Sequence, residues 1–188
     1  MIPVAAVGSM FAPVGPVDTW PVVECNGVAY HVAPVYVAPV GLADVEALYD
    51  AWECEIPTMD MVDAVWRAAD LRLDPYRVAR FPNDYANGQS PEAIVKQLEK
   101  ITRMVDDRPF RILAGTHKDF VRLPSGRIEL YGWHDLTGKV IEKGATSHTK
   151  AYPLDYSQGA RLFRRVEMAV LRPHVLADPQ VGMLSSLE

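Results

Sequence analysis

The sequence predicts an α+β fold: three N-terminal and central helices packed on an antiparallel β-meander, with an extended apolar N-terminal arm. Three observations carry this expectation. Apolar residues recur at helical spacing in the stretch between residues 42 and 105. From residue 109 onward, short strand-like segments alternate with Pro/Gly turns. Helices and strands are therefore segregated along the chain, which favours α+β over an alternating parallel architecture. The 188 residues suit one ordinary domain with a sizeable core. The boundaries we assign are an arm over 1–27, a single domain over 28–173 and a tail over 174–188.

The arm carries no charged side chain before Asp18, and Pro3, Pro13 and Pro16 with Gly8 and Gly15 break any helix. It has no basic start, so it does not read as a signal peptide. Apolar chain left free in water is sticky, so residues 1–17 are expected to pack on their own domain or on other protein chains. Residues 28–40 are rich in Val and Tyr and read as strand, interrupted at Pro34 and therefore near a sheet edge. Leu42, Val45, Leu48, Tyr49 and Trp52 then give a short amphipathic helix over 42–53. Thr58 is a good N-cap for a second helix over 59–70, with Asp60 in its first turn and Val62, Val65, Trp66 and Ala69 on its apolar face. Residues 71–89 read as a long loop. Ser90, Pro91 and Glu92 open a third helix, whose stripe is Ile94, Leu98, Ile101 and Val105. The meander follows: 109–115, 119–123, 127–134 and 139–143, turning at Pro124-Ser125-Gly126 and Leu136-Thr137-Gly138. Residues 161–171 are read as a further strand extending that sheet.

Composition narrows the function. The net charge of -5, without a Lys/Arg block, argues against nucleic acid binding. Arg161, Arg164 and Arg165 form the densest basic cluster and read as a solvated face. Two cysteines are too few for a disulfide framework. No run of about 18 or more apolar residues is free of Pro and Gly, so a membrane-spanning helix is not expected. There is no phosphate-cradling glycine loop and no Cys-x-x-Cys pair, so neither cofactor nor resident metal is expected.

Residues with catalytic potential concentrate in the meander and just beyond it. His117 and Asp119, two apart on a strand, share a face, where a carboxylate could orient an imidazole or the pair could bind a metal. The plain alternative is the solvent-facing side of an edge strand. His134, at an exposed strand end, is the best single acid/base candidate; its alternative is a histidine that closes a hairpin by hydrogen bonding. His148 lies in a polar connection and reads as solvated. Cys54 precedes the Pro57-Thr58 helix start, where papain-like amidases place a nucleophilic thiol, although a buried inert thiol is the simpler reading. Asp155, Tyr156 and Ser157 crowd a carboxylate, a phenol and a hydroxyl into one corner, but Ser157 lacks the Gly-x-Ser-x-Gly elbow.

Several of these blocks occur together: Ile56-Pro57-Thr58 with Met61 to Val65, Gly115 to Asp119, Leu130 to His134, and Asp155 to Leu162. In order and wording they resemble an uncharacterised bacterial protein family with Gly-His-Lys-Lys-Asp, Ile-Tyr-Gly-Trp-His and Asp-Tyr-Ser-His-Gly blocks, over roughly residues 28–171. No established activity comes with the resemblance. This chain departs from it at Thr116 and Gln158, where the family has histidines; glutamine can hydrogen-bond but cannot shuttle protons.

Two functions are expected. In the first, the chain is a hydrolase-like domain acting on a cell-envelope polymer such as peptidoglycan. His134 is then the acid/base, Asp155 or Asp119 orients it, Lys118 stabilises negative charge, Tyr156 lines the site, and Cys54 or Ser157 is the nucleophile. In the second, it is a non-catalytic subunit of a larger assembly, a phage virion or secretion particle, anchored by the arm.

Overall fold

The computed structural model describes residues 15–76, 91–144 and 154–167. The arm before residue 15, Ser90, His148 and the tail from residue 168 lie outside the described residues. The fold is α+β, as the sequence predicts, with three α-helices and nine strands among the described residues. A short 3-10 turn, Val17–Thr19, leads into β1 (Val22–Cys25) and β2 (Val28–Val32). Helices α1 (Val45–Ala51) and α2 (Met59–Ala68) follow, then β3 (Leu71–Arg72) and α3 (Pro91–Val105). The remaining strands are β4 (Leu113–Ala114), β5 (Lys118–Arg122), β6 (Ile128–His134), β7 (Val140–Lys143), β8 (Gln158–Gly159) and β9 (Phe163–Arg165).

The meander forms over three of its four expected segments: β5, β6 and β7 are consecutive antiparallel neighbours, and β8 adds in parallel along β5 to give the order β7-β6-β5-β8, while residues 109–115 contribute only β4, which lies outside this sheet. Three further expectations change. Residues 22–25, assigned to the arm, are β1, hydrogen-bonded to β2 through the Asn26-Gly27 turn. Both turn residues have positive φ, the requirement of a tight hairpin. The strand at 161–171 does not extend the meander. Its described part, β9, pairs with β2 in a separate sheet of order β1-β2-β9. The loop over 71–89 begins with β3, which pairs in parallel with β4.

Helix α2 holds the layers together because it packs on β1, β5 and β6. Thr58 caps it: its hydroxyl accepts from Met61 N at 3.4 Å, filling one of the unpaired donors of the first turn. Met61, Val65 and Trp66 bury against Val23, Tyr30, Val32 and Phe163 on the three-stranded sheet. Val62 turns the other way, onto Val121 and Tyr131 of the meander. The opposite face of the meander is covered from α1, where Val45 and Tyr49 meet Phe120, Leu130 and Leu162. Ile94, Leu98 and Ile101 of α3 close over Leu71 and Leu113. Strand β5 is thus covered on both faces, and four of its five residues, including Lys118 and Asp119, are buried.

Candidate functional site

Strand β6 leaves the regular pleat at one point. Gly132 has φ +93 and Trp133 φ +54, both left-handed. In a regular strand Tyr131 and His134, three apart, would face opposite sides. The left-handed pair reverses that, and both side chains turn toward α2. His134 Nε2 lies 2.8 Å from Asp63 Oδ1, and the Tyr131 hydroxyl donates to both oxygens of the same carboxylate at 3.1 and 3.2 Å. The imidazole is stacked on the Trp66 ring, with centroids 5.0 Å apart and planes within 10°, and meets the edge of Tyr131. Asp63 and Trp66 are one helical turn apart on α2, so one helix supplies both the carboxylate and the ring that fix the histidine. Burial and the Asp63 carboxylate push the Tyr131 phenol up to about 12, so it remains a donor at neutral pH.

The carboxylate hydrogen-bonded to His134 is that of Asp63, while the bonds of Asp155 and Asp119 run to other groups. Asp155 is occupied by its own turn: its Oδ1 accepts from Ser157 N and Ser157 Oγ, each at 2.6 Å. This is an Asx-type turn, and it spends the Ser157 hydroxyl on Asp155 rather than presenting it to an imidazole. Tyr156 packs on the hydrophobic cluster under α3. His134 is not at an exposed strand end either; only 5% of it is accessible. Its carboxylate partner is more open, with 31% of the Asp63 side chain accessible.

The structure brings His117 and Asp119 together, but in the interior rather than on a solvent-facing edge. Both touch Tyr36: its hydroxyl donates to Asp119 Oδ2 at 2.9 Å, and its ring lies 5.4 Å from that of His117. Gly159 makes room for this, since a Cβ there would fall 3.1 Å from His117 Cβ and 3.1 Å from Tyr36 Cδ1. Burial pushes the Asp119 carboxyl up to about 7, against the opposing pull of Arg161 and the Tyr36 hydroxyl. Burial, reinforced by the Arg161 guanidinium, holds His117 down to about 3, so it is neutral under ordinary conditions. Burial also raises the Tyr36 phenol, with the Asp119 charge next in importance.

Arg161 is not part of a solvated face. It is 1% accessible, lies over the Tyr36 ring at 4.0 Å, and donates to the carbonyls of Ala33 and Leu113. It joins the two sheets and β4 from inside. Arg164 and Arg165 do reach outward, toward Glu53 and Glu55.

Lys118 is paired with Glu142 at 3.7 Å and lies over the Trp133 ring at 5.2 Å. Its neighbour Trp133 alternates with His134, so Lys118 belongs to the sheet face opposite the histidine and is not its charge-stabilising partner. The Cys54 thiol donates to the Trp52 carbonyl at 3.3 Å and packs with the cluster that includes Trp20 and Tyr49. Burial pushes this thiol up, only partly countered by Arg164, so the helix start does not yield a thiolate. Among the described residues no group of three or more His, Cys, Asp or Glu side chains could hold a metal, and no helix is long and apolar enough to cross a membrane. Comparison of the chain with protein-family models, with curated proteins and with solved structures finds no match.

The arrangement can hold an imidazole in one tautomer. Asp63 accepts from Nε2–H and leaves Nδ1 as the basic nitrogen. In the sequence Asp63 appears only within the Met61 to Val65 block of α2, with no chemical role attached to it. Its signal is positional: it follows Met59 by one helical turn and lies beside Val62, which packs on the meander.

Proposed function

We propose that this chain is a hydrolase-like protein whose acid/base is His134, oriented by Asp63 and braced by Trp66 and Tyr131. The observation that carries the proposal is the 2.8 Å His134–Asp63 hydrogen bond under the stacked Trp66 ring. A carboxylate that accepts from one imidazole nitrogen fixes the tautomer and orients the ring so that the other nitrogen can take a proton. Cys54 and Ser157 are engaged elsewhere, so this reading assigns the attack to a water that His134 deprotonates. A cell-envelope polymer such as peptidoglycan is the substrate class, by analogy with papain-like cell-wall amidases.

A non-catalytic reading is favoured by a separate observation. Asp119, Asp155, Ser157, Lys118 and Arg161 all bond within the fold, as a hydrogen-bonded structural corner would require. In that reading the chain is a subunit of a larger assembly, and residues 1–17 reach its neighbours.

Wild type and His134→Ala assayed side by side on peptidoglycan fragments separate the two. The catalytic reading expects turnover by wild type and its loss in a folded variant. Absence of turnover by wild type across glycan and peptide fragments favours the assembly reading.

A further inference from the structure

A small internal cavity separates α2 from the interior polar residues. Val62 and Val65 of α2 and Ala114 of β4 wall it on the apolar side, and Asp119, His134 and Arg161 line it on the polar side. Its volume is about 10 Å³, at the lower limit for one water molecule. Two polar atoms of its lining residues, Asp119 Oδ1 and Arg161 Nε, have no hydrogen-bond partner in the protein. Both residues are 1% accessible, so bulk water does not serve them.

An unpaired buried donor or acceptor is costly, and it is costlier on a carboxyl or a guanidinium than on a neutral group. Apolar cavities of this size stay dry, whereas a water with two or more polar partners is held as part of the structure. Here one unused atom is a donor and the other an acceptor, which is the pairing a bridging water needs.

We propose that this cavity is a binding site for a single ordered water, which accepts from Arg161 Nε and donates to Asp119 Oδ1. The water completes the interior network of Tyr36, Asp119 and Arg161 and lies beside the imidazole of His134. The site stands on geometry alone and does not depend on the hydrolase reading.

A high-resolution crystal structure of the full chain tests it. The expected result is one solvent peak in the cavity, within about 3.2 Å of both Arg161 Nε and Asp119 Oδ1. A featureless cavity, a peak lacking either contact, or a direct Asp119–Arg161 pair that closes the space would overturn the proposal. In solution, the bound water is expected to give a persistent cross-relaxation signal to the Ala114 and Val62 methyl groups. Asp119→Leu, which removes the acceptor, should abolish it; a signal that survives in a folded Asp119→Leu protein counts against the site. Should that variant not fold, the wild-type crystal and solution measurements still decide. Activity assays play no part, so failure of this site and failure of the proposed function are read separately.

Discussion

His134 and Asp63, 71 residues apart in sequence, meet at 2.8 Å because strand β6 turns over at Gly132. Two backbone positions of opposite handedness to the rest of the strand set which face the histidine takes. The candidate site is thus built on a helix and a strand, the elements that hold side chains most rigidly.

Gly132→Ala should damage both the strand and the site. The added Cβ has to adopt φ +93 and would lie 3.1 Å from Val62 Cγ1. A residue with a Cβ in a left-handed position costs more than about 1 kcal/mol before any clash. Gly126→Ala is the control: φ is +83, but nothing lies within 4 Å. Urea denaturation should show the larger loss for Gly132→Ala. Equal losses would mean that strain alone matters and that Val62 yields freely.

The pH dependence of stability should show two opposing slopes. Asp119 ionises near 7 in the fold, against 3.8 for an ordinary aspartate. Between these values the unfolded chain has released a proton that the fold retains, so stability falls as pH rises from about 4 to 7. His117 titrates near 3 in the fold, against 6.5 for an ordinary histidine. In that window the unfolded chain binds a proton that the fold does not, so stability falls as pH drops from 6.5 to 3. The two effects oppose each other where the windows overlap. Asp119→Asn should therefore steepen the loss toward acid, and His117→Gln should leave a loss toward neutrality. Denaturation midpoints measured from pH 4 to 7 check both; parallel profiles for wild type and the two variants would refute the assignment.

The three clustered arginines should behave unequally. Arg161→Lys loses the planar fork that spans the Ala33 and Leu113 carbonyls in the interior, and breaking a buried charge's contacts costs about 3 kcal/mol or more. Arg165→Lys, at an exposed ion pair with Glu55, should stay within about 0.5 kcal/mol of wild type. Denaturant midpoints of the two variants give the comparison; similar values would place Arg161 at the surface.

Much of the fold was legible because its signals are local. Pro57-Thr58 announced α2 and Pro91-Glu92 announced α3, through capping chemistry confined to one helical turn. The turns at Ser125-Gly126 and Thr137-Gly138 separated β5, β6 and β7. The partnering was less legible. A strand segment at 163–165 reads the same whether it joins β8 or β2, since the choice depends on the remote chain it meets. Arg161 and His117 look like surface residues by type, and only the Tyr36 ring and the carbonyls around them explain their burial. In the candidate site, His134 was identified from its place at the end of a strand. The role of Asp63 is not legible, because contacts across 71 residues leave no periodic trace and because regular alternation, without the Gly132-Trp133 reversal, does not put Tyr131 and His134 on one face.

The central claim is that Asp63 and His134 act as one unit, and a double-mutant cycle on turnover tests it most directly. Asp63→Asn, His134→Gln and the combined variant are compared with wild type on peptidoglycan fragments, with folding checked for each. An oriented acid/base contributes on the order of 100-fold or more to rate. The account predicts that each single variant loses much of the activity and that the double variant is no worse than His134→Gln, as for residues that work together. Losses that multiply, or a His134→Gln protein that keeps the wild-type rate, would contradict it.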